Sequence, residues 1–79
     1  MTREPREPNP TTYAGRFAVR LRKLRQKAGL TQGELAKRLG SYQRTISGWE
    51  TGQGAPSYTK LPQIAEALGV KPRDLLPEE

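Results

Sequence analysis

The 79-residue sequence predicts an all-α fold, a compact bundle of five short helices. Apolar residues recur at helical spacing in successive segments, and a glycine follows each of the first four. No segment alternates apolar and polar residues as a half-buried strand does. We therefore expect one helical domain over residues 13–77. We also expect a disordered tail over residues 1–12, because its three prolines disfavour helix and it has little apolar surface to bury.

The first two predicted helices carry recognisable end signals. The first ends at Gly29, a residue type suited to a left-handed cap, and its apolar positions are Ala14, Phe17, Ala18, Leu21, Leu24 and Ala28. The second begins with Thr31 and Glu34 in the T-x-x-E pattern of a capping box and ends at Gly40 after about two turns. Its apolar residues are Leu35, Ala36 and Leu39.

The third predicted helix starts at Ser41 or Tyr42 and ends at Gly52. Its apolar side holds Ile46 and Trp49, with Tyr42 one turn earlier. Together with Trp49, the core is expected to contain the large apolar residues of the other helices, Phe17, Leu21, Leu24, Leu35, Leu39, Leu61, Ile64 and Leu68.

The fourth predicted helix contains Pro62, which is tolerated only in a first turn and so favours Thr59 over Ser57 as the cap. This helix ends at Gly69. Pro72 opens a last short turn that folds Leu75 and Leu76 back onto the bundle, and Pro77 stops it.

The composition indicates a polyanionic partner and argues against several other functions. Basic residues outnumber acidic ones by 14 to 8, and half of the cations in residues 13–77 fall between Arg16 and Lys27. The chain has no His or Cys and no acidic cluster at ligand spacing, so we expect no metal, no cofactor and no enzyme active site. No apolar run approaches the roughly 20 residues of a membrane span, and the N-terminus does not look like a signal peptide. A cytoplasmic location is expected.

Residues 32–51, QGELAKRLGSYQRTISGWET, have the mechanical features of a helix-turn-helix. Ala36 is small enough for two helices to cross closely, and Gly40 permits the positive φ of a tight turn. Leu35, Ile46 and Trp49 can then fix the second helix on the core. A second helix held in this way protrudes and fits a DNA major groove about 12 Å wide.

Residues 17–76 resemble the Cro/C1-type, or lambda-repressor-like, helix-turn-helix domain. The matching strings are LRKLRQKAGLTQGELAKRLG, TISGWETG, APS, IAEALGV and LL. The resemblance implies that Gln43, Arg44 and Ser47 contact bases. The chemistry agrees, because a glutamine amide pairs with adenine N6 and N7, and a guanidinium pairs with guanine O6 and N7. It also implies that Gln32 binds a phosphate and braces Gln43.

The resemblance further implies phosphate contacts and one structural ion pair. The phosphate contacts would come from Thr31, Gln32, Tyr42, Thr45, Thr51 and Lys60. Arg25 and Glu50 would form the ion pair that joins the first helix to the end of the recognition helix. The chain departs from the family at Gly48, where a polar reader is frequent, at Gly33, where Glu is frequent, and at Tyr42, where Ser or Thr usually caps the helix.

The sequence as a whole predicts a sequence-specific DNA-binding transcriptional regulator, a repressor that acts by occupying its operator. A homodimer on palindromic double-stranded DNA is expected, with half-sites about 34 Å apart. By resemblance, the dimer surface would lie around Val70, Pro72 and Leu75. The alternative is a protein-interaction module of the same fold, such as an antitoxin or bridging factor, whose main partner is another protein.

Overall fold

A computed structural model describes residues 12–76. It contains four α-helices and two 3-10 helices in the order α1 (Tyr13–Lys27), α2 (Gln32–Leu39), α3 (Gln43–Glu50), the first 3-10 helix (Tyr58–Lys60), α4 (Leu61–Leu68) and the second 3-10 helix (Pro72–Leu75). There is no strand in this part of the chain. The all-α class is confirmed, but the predicted fifth helix is a single 3-10 turn, and a further 3-10 turn precedes α4.

Side-chain caps fix the starts of α1 and α2. The Thr12 hydroxyl accepts a hydrogen bond from the Gly15 amide at 2.9 Å, so this residue, predicted to belong to the tail, caps α1. Residues 1–11, the remainder of the predicted tail, and residues 77–79, with the predicted stop at Pro77, lie outside the described residues. In α2 the Glu34 amide donates to Thr31 Oγ1 at 3.0 Å, and the Thr31 amide donates to Glu34 Oε1 at 2.8 Å. The predicted capping box is confirmed.

The start of α4 differs from the prediction. Thr59 lies inside the first 3-10 helix, where its hydroxyl is 2.9 Å from that of Ser57. α4 begins two residues later at Leu61, and Lys60 precedes it without a side-chain cap. Pro62 still falls in the first turn, as required by its missing amide hydrogen. Thr59 as the cap is therefore wrong, because the 3-10 turn occupies the chain before the helix.

A single hydrophobic core lies among all four α-helices and the second 3-10 helix. Its large fully buried apolar side chains are Phe17, Leu21, Leu35, Ile46, Ile64 and Leu75. Leu61 and Leu68 are also buried, and Leu24, Leu39 and Trp49 pack against the core while partly exposed. The predicted core is confirmed in membership. Leu75 has no exposed surface, so the expected dimer surface cannot include it without opening the core.

Within the described part of the chain, two classes of feature are absent. No helix there is both long and apolar enough to cross a membrane. No group of three or more His, Cys, Asp or Glu side chains in residues 12–76 is arranged to hold a metal ion.

Candidate nucleic-acid interface

The turn between α2 and α3 fixes the direction in which α3 leaves the bundle. Gly40 adopts the left-handed conformation, with φ of 65° and ψ of 33°, as the sequence predicted. This conformation allows the Ser41 amide to donate to the Ala36 carbonyl at 2.8 Å and close the end of α2. Ala36 on α2 and Ile46 on α3 are both buried in the core. α3 is thus fixed by its inner face, and its outer face remains available.

The side chains predicted to contact bases lie on or near that outer face. Gln43 and Arg44 are exposed in the first turn of α3, and Ser47 is partly exposed one turn later. The Gln43 side chain lies against the start of α2, since its Oε1 is 3.6 Å from the position that a Cβ would occupy on Gly33. Gly48 follows with open space around it. This face therefore presents an amide and a guanidinium on adjacent residues.

Tyr42 does not occupy the position that helical spacing predicted. It is the N-cap of α3 in extended conformation and is 71% exposed, so its placement on the apolar side was wrong. Tyr42 precedes the first helical residue of α3. The helical periodicity that directs Ile46 into the core therefore does not determine the direction of the Tyr42 side chain. Its ring instead lies beside Arg44, whose guanidinium carbon is 5.9 Å from the ring centroid. Sequence reasoning missed this pairing.

The predicted ion pair joins α1 to the end of α3. Arg25 Nε donates to Glu50 Oε2, and Arg25 Nη2 donates to Oε1 at 3.0 Å. The side chains are 12% and 1% exposed, so the pair is almost fully removed from water. The hydrogen bond to Glu50 raises the pKa of Arg25, while burial lowers it to a smaller extent. Arg25 Nη1 also donates to the Leu30 carbonyl at 2.7 Å, which ties the α1–α2 loop to the same group.

Two further side chains complete the surroundings of Glu50. Gln32 Nε2 donates to Glu50 Oε1 at 3.1 Å, and Arg22 Nη2 donates to the Glu50 carbonyl at 3.3 Å. The bracing of Gln43 by Gln32 stays a prediction, because the hydrogen bond described for the Gln32 amide goes to the buried carboxylate, which needs several donors. Arg22 was not predicted here, although it precedes Arg25 by three residues and so lies near it on α1.

The residues predicted to contact phosphates differ in what they can still donate. Thr31 is exposed, and its hydroxyl accepts from the Glu34 amide and lies beside the Glu34 carboxylate, so a phosphate would compete with that carboxylate for the hydroxyl hydrogen. Lys60 is exposed at the start of α4, and Thr45 is partly exposed on α3. The Thr51 hydroxyl instead donates to the Ser47 carbonyl at 3.0 Å or the Gly48 carbonyl at 3.2 Å. Its hydrogen is therefore used within α3.

The charge of the described residues favours a polyanion. Residues 12–76 contain twelve basic and four acidic side chains, a net charge of +8. One of the four acids, Glu50, is buried and paired with Arg25, and another, Glu34, caps α2. α1 contributes six cations and no acid. Such an excess strengthens binding to any phosphate backbone and makes it dependent on salt.

The family and the relatives that this chain matches are also of the helix-turn-helix type. A family described as helix-turn-helix matches residues 21–75. An uncharacterised HTH-type transcriptional regulator of Methanothermobacter thermautotrophicus is 45% identical over 49 residues, 62% of this chain and 71% of that protein. The uncharacterised HTH-type transcriptional regulator y4dJ of Sinorhizobium fredii is 39% identical over 54 residues, 68% of this chain and 70% of that protein.

Solved structures show the same fold. The restriction-modification controller protein C.AhdI from Aeromonas hydrophila is 38% identical with a TM-score of 0.72, and the match covers 77% of this chain and 92% of that chain. A hypothetical transcription factor, NHTF, from Neisseria is 27% identical with a TM-score of 0.78, over 96% of this chain and 88% of that chain. Hydroxypropylphosphonic acid epoxidase from S. wedmorenis is 31% identical with a TM-score of 0.76 over 87% of this chain. The match spans only 36% of the epoxidase chain.

The chain therefore belongs to the helix-turn-helix family, in which it is a DNA-binding regulator of the Cro/C1 type. α2 and α3 lie within residues 32–51, over which the sequence predicted the motif.

Proposed function

We propose that this protein is a sequence-specific repressor that acts by occupying its operator. The observation that carries the proposal is the pair of exposed polar side chains in the first turn of α3, Gln43 and Arg44, on a helix whose opposite face is anchored in the core. An amide and a guanidinium at adjacent positions can pair with adenine and guanine edges in a major groove. Ser47, one turn further along, supplies a hydroxyl that accepts or donates.

Phosphate contacts on both sides of α3 would hold the helix in register. Thr31 and Gln32 at the start of α2, Thr45 at the start of α3, and Lys60 at the start of α4 are the proposed donors. Tyr42, for which the sequence also predicted a phosphate contact, is proposed below to act through its ring instead. Thr51 is omitted from this set because its hydroxyl hydrogen is bonded within α3. Gln32 reaches a phosphate with the second hydrogen of its amide, since the first is bonded to Glu50.

We further propose that two copies bind a palindromic operator with half-sites about one helical turn, or 34 Å, apart. Val70 and Pro72, at the junction of α4 and the second 3-10 helix, belong to the proposed dimer surface, and the buried Leu75 is excluded from it. We also propose a cytoplasmic location, as the sequence predicted. We propose no enzymatic activity, because the likeness to the epoxidase covers about a third of that enzyme.

Selection from random duplex oligonucleotides, followed by sequencing, tests the proposed function. The expected result is a palindromic consensus that the protein binds at least about 10³-fold more tightly than scrambled duplex of the same length. The variant carrying Q43A and R44A should lose this preference while keeping its helical circular dichroism. Binding of scrambled and selected duplexes with equal affinity would refute sequence-specific recognition. Two protein copies per selected duplex in analytical ultracentrifugation would support the dimer, and a single copy would contradict it.

A further inference from the structure

Tyr42 is a large apolar side chain that contributes little to the folded domain. It is 71% exposed, and it caps α3 without a side-chain hydrogen bond. A Ser, Thr, Asn or Asp at an N-cap would satisfy one of the free amides of the first turn. The chain thus lacks a stabilising cap at the start of its recognition helix and presents an aromatic ring there instead. Departures of this kind from local stability are typical of functional positions.

The ring is placed where it can influence Arg44. The guanidinium carbon lies 5.9 Å from the ring centroid, within the range of a cation–π contact. Both residues are exposed at the same end of α3. A free arginine side chain samples many rotamers, and much of this freedom is lost when the guanidinium forms two hydrogen bonds to one base. A ring beside the guanidinium restricts those rotamers before DNA arrives, which reduces the ordering that binding requires.

We propose that Tyr42 is a specificity-determining residue that positions the Arg44 guanidinium for base recognition through its ring. The inference rests on the proposed function, because it assumes that Arg44 reads a base. In the bound state the ring also covers the guanidinium from solvent, and removal of water strengthens the contact. The partner of the Tyr42–Arg44 pair is a guanine edge in the major groove.

This role differs from the phosphate contact that the sequence predicted for Tyr42. A phosphate contact uses the phenolic hydroxyl and affects all DNA sequences alike. A positioning role uses the ring and affects only the base pair that Arg44 reads. Tyr42→Phe removes the hydroxyl and keeps the ring, whereas Tyr42→Leu removes both and leaves an exposed side chain of moderate size. The two variants therefore separate the two roles.

The test is a double-mutant cycle with the full-length chain. Affinities of wild type, Y42F, Y42L, R44A and Y42L/R44A are measured on the selected operator and on an operator substituted at the base pair where R44A loses discrimination. We expect Y42F to bind the selected operator within about twofold of wild type. Y42L should lose about fivefold on the selected operator and little on the substituted one, a size consistent with one exposed cation–π contact. In the R44A background, Y42L should have no further effect.

Tyr58 provides a matched control, since it is 72% exposed and lies in the first 3-10 helix, away from α3 in sequence. Y58L should leave discrimination unchanged. Equal losses for Y42L on both operators, a loss that persists in the R44A background, or a loss in Y42F equal to that in Y42L would each overturn the inference. If wild type discriminates between the two operators and R44A does not, such results reject only the role of Tyr42. If wild type itself shows no preference among sequences, the proposed function and this inference both fail.

Discussion

Both carboxylate oxygens of Glu50 accept hydrogen bonds from the Arg25 guanidinium, which joins the last turn of α1 to the end of α3. Glu50 is the one buried charged side chain among residues 12–76. The same carboxylate accepts from Gln32, so α1, α2 and α3 meet at a single group. The orientation of α3 therefore depends on an electrostatic contact as well as on the core.

Removing Arg25 should strongly destabilise the domain. R25M keeps the aliphatic part of the side chain but leaves the Glu50 carboxylate buried without its main partner, which costs roughly 3–5 kcal/mol. Urea denaturation measures the loss in the free energy of unfolding. K23M, on an exposed position of the same helix, should change it by less than about 0.5 kcal/mol. A loss below about 1 kcal/mol in R25M would show that the ion pair does not hold the fold together.

Glu34 should make the stability of the domain depend on pH in the acidic range. Hydrogen bonds from the Thr31 amide and then the Thr31 hydroxyl lower the pKa of Glu34 below its usual value. A group whose pKa is lower when folded stabilises the protein above its unfolded pKa, and the contribution is lost as the pH falls through the folded pKa. The difference in melting temperature between wild type and E34Q should therefore shrink on acidification from pH 7 to pH 3. A difference that stays constant over this range would contradict the role of the carboxylate charge.

Two glycines should respond in opposite directions to the same substitution. Gly48 lies inside α3 at an ordinary helical φ, and a Cβ there would meet nothing within 4 Å. G48A should therefore raise the free energy of unfolding by about 0.5–1 kcal/mol, through helix propensity. Gly40 has a positive φ, so G40A should lower it by about 1 kcal/mol or more despite equally open space. The midpoints of urea denaturation compare the stability of the two variants with that of wild type. A G40A variant more stable than wild type would show that the turn does not need the positive φ of Gly40.

Lys60 should contribute to DNA affinity without contributing to specificity. Without the Lys60 contact, binding releases one fewer counterion from the DNA. K60A should therefore reduce the slope of log K against log salt by about one and weaken binding to all sequences alike. Titrations at several salt concentrations measure this slope. Lys27 is exposed in the last turn of α1 and belongs to none of the proposed contacts, so K27A is the matched control, for which a smaller change is expected. Equal slopes for wild type and K60A would exclude a phosphate contact at Lys60.

Local features of the fold could be predicted because their causes are local. The capping box of Thr31 and Glu34 closes within four residues, and the left-handed turn at Gly40 depends on the backbone of one residue. Tyr42 was misplaced because helical periodicity does not extend to an N-cap. The start of α4 was misplaced because Pro62 shows only that the helix begins within about one turn before it. The composition gave no sign of the 3-10 helix that precedes α4.

The candidate interface could be predicted only in part, for a related reason. Exposure of Gln43 and Arg44 follows from the phase of α3 relative to Ile46, which the sequence shows. The partners of Gln32 and Arg22 depend on where the buried carboxylate of Glu50 lies after the helices have packed. Long side chains with several donors can reach several targets, so their hydrogen bonds are decided by tertiary structure.

Base readout by the outer face of α3 is tested most directly by the binding of R44A to a complete set of single-base-pair substitutions in the selected operator. We predict that R44A loses about 1–3 kcal/mol on the selected operator and becomes indifferent to substitution at one base pair per half-site, while preferences at the other positions persist. Q43A should do the same at a neighbouring base pair. If the affinity of R44A falls by the same factor on every duplex in the set, Arg44 contacts the DNA backbone. That result would contradict base recognition.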